Sequence, residues 1–242
     1  MKNLEDKKTE ETIRTEKPEN EGGEKSGKRA ALGLSFWLSC GLCLLPAVFA
    51  LFVYDRLPES IVTHWNAQDA PDGWSSKAFA VFGIPLLMLA LHVFVWFMLH
   101  NDPRRGNITK IMLLLGEWSV PVITTATLTI TYLNALDVTV NPSSYISCTI
   151  AVLIVMVGNY LPKCRPNYTV GIRLPWTLDN EENWVRTHRF AGKVWVLGGV
   201  LLFAAGFFRL EWLLFLVLAL LVVPPALYSY CYYKKQKSGE KP

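Results

Sequence analysis

The sequence predicts an all-α, polytopic integral membrane protein with six transmembrane helices and both termini in the cytosol. Three observations carry that prediction. Apolar residues make up 51% of the 242, and they gather into blocks of about 15–25, the length of bilayer spans rather than of a water-soluble core. Charged residues are only 18%, against about 25% in soluble domains. Lysine and arginine also alternate between connectors. One side of the predicted topology holds 8 in residues 1–29, 3 in 101–110, 6 in 161–193 and 4 at the C-terminus, and the other side holds only Arg56, Lys77 and Arg209. Cytoplasmic connectors carry the excess of Lys and Arg, which sets the orientation. A soluble enzyme and a wholly disordered chain both fail on this pattern. The net charge of +4 follows the topology and predicts no direct nucleic-acid partner.

Each element follows in order. Residues 1–29 mix acids and bases with almost no apolar side chains, so nothing offsets the entropy of ordering them, and a disordered cytosolic tail is expected. The first four spans occupy 30–160, as apolar runs at 30–54, 78–100, 111–133 and 145–160. An outer hairpin is expected at 55–77, between the first two. A cytosolic loop with an interfacial amphipathic helix is expected at 161–193. The last two spans lie within 194–231, and a basic cytosolic tail closes the chain at 232–242. The fifth apolar run, 194–208, is about 22 Å as helix, so it borrows helix from the segment before it. The five cysteines imply no disulfide framework. Cys40 and Cys43 spell C-x-x-C, but inside an apolar run a thiolate is costly and redox chemistry is not expected.

Two polar segments hold the candidate contact residues. The outer one contains His64, Trp65 and Asn66, then Pro71, Asp72, Gly73 and Trp74. Pro71-Asp72-Gly73 has turn chemistry: Pro fixes φ, Asp bonds the backbone ahead and Gly supplies φ > 0. Ser75 or Ser76 is placed to cap the second span. The inner segment carries Asn159, Asn167, Arg173 and Trp176, followed by Asp179 and Glu182 in capping-box spacing. On the helix that follows, Trp184, Thr187, His188 and Ala191 share one face, with Arg186 and Arg189 toward the other. Such a helix tends to lie along lipid headgroups.

Glu117 is the one acid well inside a predicted span, and a buried acid needs a partner. His92 lies at nearly the same depth, so a His92–Glu117 hydrogen bond or ion pair is expected, with His100 and Arg173 as rivals. No nucleophile–base pair, Gly-rich phosphate loop or carboxylate pair is present. The expectation is therefore no enzyme, no metal and no cofactor. Two function classes remain: a non-catalytic binding or receptor protein, and a small transporter or channel using Glu117 and His92.

Two stretches resemble the SdpI family of bacterial membrane proteins. The outer His64-Trp65-Asn66, Pro71-Asp72-Gly73-Trp74 and Lys77 look like a short domain of unknown function often found at the start of that family. The inner Gly158-Asn159-Tyr160-Leu161-Pro162-Lys163, Asn167-Tyr168, Gly171-Ile172-Arg173, Pro175-Trp176-Thr177-Leu178, Trp184, Thr187-His188-Arg189 and Gly192-Lys193 look like its signature. The resemblance spans about residues 50–235. It departs at Asp69, where the family usually has Gly, and at Leu174, where Thr is common. Asp tolerates a left-handed backbone, so the turn is expected to survive. The resemblance implies a bacterial cell-membrane protein giving immunity to a secreted toxin peptide. It also implies signalling, by binding a transcriptional repressor at the membrane. In the derived topology the toxin meets the outer segment and the bilayer, and the repressor meets the inner one.

Overall fold

The computed structural model describes residues 20–66, 68–210 and 212–239. The chain divides into two units, Met1–Leu38 and Ser39–Pro242. Helix α1 (Asn20–Phe52) opens the described part. In the second unit follow a hairpin of β1 (Ser60–Trp65) and β2 (Pro71–Ser76), then α2 (Ile84–His100), entered through a π turn at Phe79–Gly83. Then come α3 (Lys110–Ala135), α4 (Pro142–Tyr160), the single turn α5 (Pro175–Leu178), α6 (Glu181–Phe207) and α7 (Trp212–Ser238). Among the described residues, six helical stretches are long and apolar enough to cross a membrane, as the apolar blocks require. Many of their large apolar side chains face outward, among them Phe94, Leu197, Phe207 and Val222. In water such a surface invites association, whereas in lipid it is the solvated face.

The helix boundaries follow local chemistry. The Thr109 side chain accepts from Met112 N (3.2 Å) and starts α3. Asn141 caps α4 from Ser144 N (2.8 Å), with Pro142 in the first turn, where its missing N–H costs nothing. Ser76 Oγ accepts from Phe79 N at the entry to the second span. The π turn frees the carbonyl of Ala80, and the buried Tyr132 hydroxyl donates to it at 3.0 Å.

The structure departs from the sequence reading in four places. First, the hairpin turn is at Asn66–Ala70, and Pro71-Asp72-Gly73 lies in strand β2. Asn66 Oδ1 accepts from Gln68 N and Ala70 N, forming an Asx turn that outcompetes the Pro-Asp-Gly signal. Second, α6 is capped by Asn180, one residue after Asp179, through Asn183 N at 2.8 Å. Third, α6 is one continuous helix of 27 residues, about 40 Å long, so the expected interfacial helix is collinear with the fifth span. Its Trp184–His188 face is covered by the preceding loop, and a face covered by protein has no reason to lie on headgroups. Fourth, helix reaches beyond the expected tails, beginning at Asn20 and ending at Ser238. Extending an existing helix avoids the nucleation cost. The rest of the expected N-terminal tail, residues 1–19, lies outside the described residues.

Three buried clusters hold the second unit together. At the hairpin end Ala50, Leu57, Ile61, Val81, Leu128 and Tyr132 pack α1, β1, the π turn and α3. At the opposite end Ile108, Met112, Leu161, Cys164 and Ala191 join α3, the 161–174 segment and α6. Between α4, α6 and α7 sit Ala151, Leu202, Val217 and Leu221.

Candidate functional site

The hairpin end is pinned and open at once. Strand pairing matches Ser60 with Ser76, Ile61 with Ser75 and Val62 with Trp74, and then breaks at a bulge around Thr63 and His64. At the bulge Gly73 faces His64 so closely that a Cβ there would lie 2.9 Å from the His64 Cβ. The bulge swings His64 over Asp72, with Nδ1 2.5 Å from Oδ1. This pair is exposed, and Trp74 beside it is 58% exposed. At the base of the hairpin, Lys77 pairs with Glu59 (2.9 Å) and lies over the Tyr54 ring. Asp69 at the turn has φ 56°, the left-handed backbone expected of this position. Its carboxylate accepts from Asn141 Nδ2 (2.6 Å) and Ser143 N (3.0 Å), tying the turn to the start of α4. A cavity of about 460 Å3 opens under the hairpin. Its walls include His64, Trp65, Asn66, Thr131, Ile146 and Phe215. Of the predicted outer residues, His64, Trp65 and Asn66 line this cavity, while Pro71, Asp72 and Trp74 face outward.

The opposite end is a folded loop. Asp102 accepts from Arg104 N (2.7 Å), Tyr168 N (2.9 Å) and the Thr169 hydroxyl (2.6 Å), so the 101–109 connector holds the 164–174 segment. Asn167 accepts from Thr169 N and Val170 N and donates to Arg165 O. His188 donates from Nδ1 to Trp184 O (2.8 Å) and accepts at Nε2 from Ile172 N (3.0 Å). Both ring nitrogens are thereby committed, and the imidazole is the neutral Nδ1–H tautomer. Gly171 has φ +117°, and a Cβ there would come within 2.4 Å of His188 Nε2. Trp184 stacks on His188 and donates to Cys164 O (2.9 Å). Thr177 Oγ1 accepts from Leu174 N and donates to Ile172 O, so it is the Leu174 backbone that Thr177 holds. Asn183 donates to Ser229 O and Trp176 to Ser229 Oγ, fastening the segment to α7.

The expected partner-binding residues fall into two groups. Asn167, Trp184 and His188 are fully buried, and their polar atoms bond within the loop and its helix. Asn159, Arg173 and Arg189 are exposed, and Trp176 is half-buried. Arg173 donates to Tyr168 O. Asp102 and Asn183 are organising residues that sequence reasoning missed, and Asp69 and Thr177 entered it only through the family resemblance. Asp102-Pro103 carried the one available signal, an Asp before proline that marks a turn. Burial pushes the Cys164 thiol above its ordinary value, partly offset by hydrogen bonding to Thr109.

Within the spans His92 and Glu117 are both buried. Ser39 Oγ lies 2.9 Å from His92 Nε2, and Glu117 is a neighbour of His92. The rivals lie elsewhere: His100 donates to Trp96 O, and Arg173 belongs to the loop.

Six apolar helices, a small hairpin at one end and a hydrogen-bonded loop at the other define a multi-pass bacterial membrane protein with two polar faces. The chain is similar to the SdpI family in its C-terminal half. The SdpI/YfhL protein family matches residues 163–229, which include most of the loop, α6 and much of α7. A domain of unknown function, DUF1648, matches residues 41–89, which include the hairpin. The chain is 29% identical over 201 residues to the immunity protein SdpI of Bacillus subtilis (strain 168), covering 82% of this chain and 95% of that protein. No solved structure matches.

Proposed function

We propose that this protein confers immunity to a secreted toxic peptide by binding at the membrane, without catalysis. The observation that carries the reading is the likeness to the Bacillus subtilis immunity protein over 95% of that protein's length, with hairpin and loop both inside the matched families. Both termini lie in the cytosol, by the lysine and arginine asymmetry. The hairpin then faces outward. The exposed Trp74, the His64–Asp72 pair and the cavity beneath offer an apolar peptide a surface at bilayer level. Aromatic anchors beside a pocket are the usual carriers of such binding. The loop end faces the cytosol, and Arg173, Trp176 and their exposed neighbours meet a transcriptional repressor. A signal requires that toxin bind two arrangements of the spans with different affinity.

Expression in a toxin-sensitive strain tests this directly, and survival no better than that of the empty host overturns it. Trp74→Ala is expected to lose about tenfold or more in protective potency, as a hot-spot truncation does. Arg173→Ala is expected to keep protection and to lose membrane recruitment of the repressor. A second reading, a small transporter, rests on the buried Ser39–His92–Glu117 group, since intramembrane ionisable residues often mark a path. Flux in proteoliposomes abolished by Glu117→Gln would favour it.

A further inference from the structure

A groove of about 640 Å3 runs along the outside of α4 and α6, beginning at the loop end. Its floor is set by close helix approach. A Cβ on Gly158 would lie 2.7 Å from the Trp195 Cβ, and one on Gly192 would lie 2.8 Å from Gly158 O. Asn159, Arg189 and Lys193 line its upper part, and Val196, Leu197 and Val200 its lower part. Arg189 and Lys193 are four apart on α6 and so share one side of the helix, about 6 Å apart along its axis. Both are exposed, and neither forms an ion pair with an acid among the described residues. Leu197 and Val200 are exposed at 63% and 54%. The change from basic to apolar falls where the uncharged run of α6 begins at Val194, at headgroup level for a helix that crosses the bilayer.

We infer that this groove binds one anionic phospholipid. The phosphate sits between Arg189 and Lys193 with the Asn159 amide as a neutral donor, and an acyl chain follows Val196, Leu197 and Val200. Charge complementarity selects the headgroup. The apolar floor selects a lipid over free phosphate, because a soluble anion leaves that part of the groove empty. Two unpaired cations beside an apolar channel suit an amphiphile better than a protein surface, which needs a polar rim on every side. The inference stands apart from immunity and requires only that the helices span a bilayer.

The test uses the full chain reconstituted in phosphatidylcholine vesicles with a minor fraction of spin-labelled phosphatidylglycerol. Motionally restricted label is compared with spin-labelled phosphatidylcholine. Preference for the anionic lipid is expected, and Arg189→Gln and Lys193→Gln are each expected to reduce it by about fivefold. Leu197→Trp, which fills the apolar part, is expected to reduce the restricted fraction without altering the charge. Equal restriction of both lipids, or a preference unchanged in the Arg189→Gln/Lys193→Gln variant, overturns the proposal. Displacement of the label by inorganic phosphate also overturns it, because the site then recognises the anion alone. So does loss of the restricted fraction on self-association of the chain, because a second copy then fills the groove.

Discussion

His188 shows how a signature residue serves the fold itself. It donates to Trp184 O and accepts from Ile172 N, which lets the 164–174 segment fold back onto α6. Leucine at this position fills similar space but leaves the Ile172 amide without its acceptor, at a cost of about 1–3 kcal/mol. His188→Leu is therefore expected to lower the unfolding temperature in detergent markedly. If His188 instead served a partner from the surface, the substitution would leave that temperature unchanged. The Gly171 backbone belongs to the same device. Its φ of +117° places the next amide on the imidazole, and any side chain there would collide with the ring. The residue types of this cluster are readable in the sequence as a dense motif. Their burial is not, because Trp, His and Asn look equally suited to a partner surface until the loop that covers them has a path.

At the scale of elements, the spans are legible and their connectors only partly so. Long uncharged runs leave a single solution in lipid, since each backbone polar group must bond within its own helix. The hairpin illustrates the limit. Pro71-Asp72-Gly73 has the better local turn chemistry, yet Asn66 wins because its side chain caps two amides and because the turn it makes delivers Asp69 to α4. Tertiary contact overrides the stronger local signal. Where the family usually has glycine, this chain uses the left-handed position to place a carboxylate. Asp69→Gly relieves about 1–2 kcal/mol of backbone strain but removes two carboxylate hydrogen bonds, each worth about 1.5–3 kcal/mol. The net effect expected is a loss of about 1–5 kcal/mol, read as faster proteolysis within the hairpin. Asp69→Asn retains the backbone tolerance and one acceptor oxygen, so it should fall between the two. A hairpin equally resistant in Asp69→Gly would show that the tie to Asn141 and Ser143 contributes nothing.

At the scale of the whole molecule, function depends on which polar end meets which compartment. The hairpin end holds Arg56, Lys77 and Arg209, and Lys77 is largely neutralised by Glu59 beneath it. The 101–110 and 161–193 connectors at the loop end hold Arg104, Arg105, Lys110, Lys163, Arg165, Arg173, Arg186, Arg189 and Lys193, of which Arg186 is paired with Glu182. Removing these paired cations from the count sharpens the asymmetry, because one of three is lost on the first side and one of nine on the second. By the positive-inside rule, the end with more free positive charge is the one expected in the cytosol. Gln68 is exposed at the tip of the hairpin and Ser238 at the end of α7, so cysteines placed there read the two sides. A membrane-impermeant maleimide is expected to label Gln68→Cys in intact cells and Ser238→Cys only after permeabilisation. Cys164 supplies an internal control: it is buried, and its raised thiol pKa keeps it protonated at neutral pH, where alkylation needs the thiolate. It should stay unlabelled on both sides until the protein unfolds. Labelling of Ser238→Cys in intact cells would invert the molecule, exchange the faces assigned to toxin and repressor, and leave the lipid groove of α4 and α6 in the opposite leaflet.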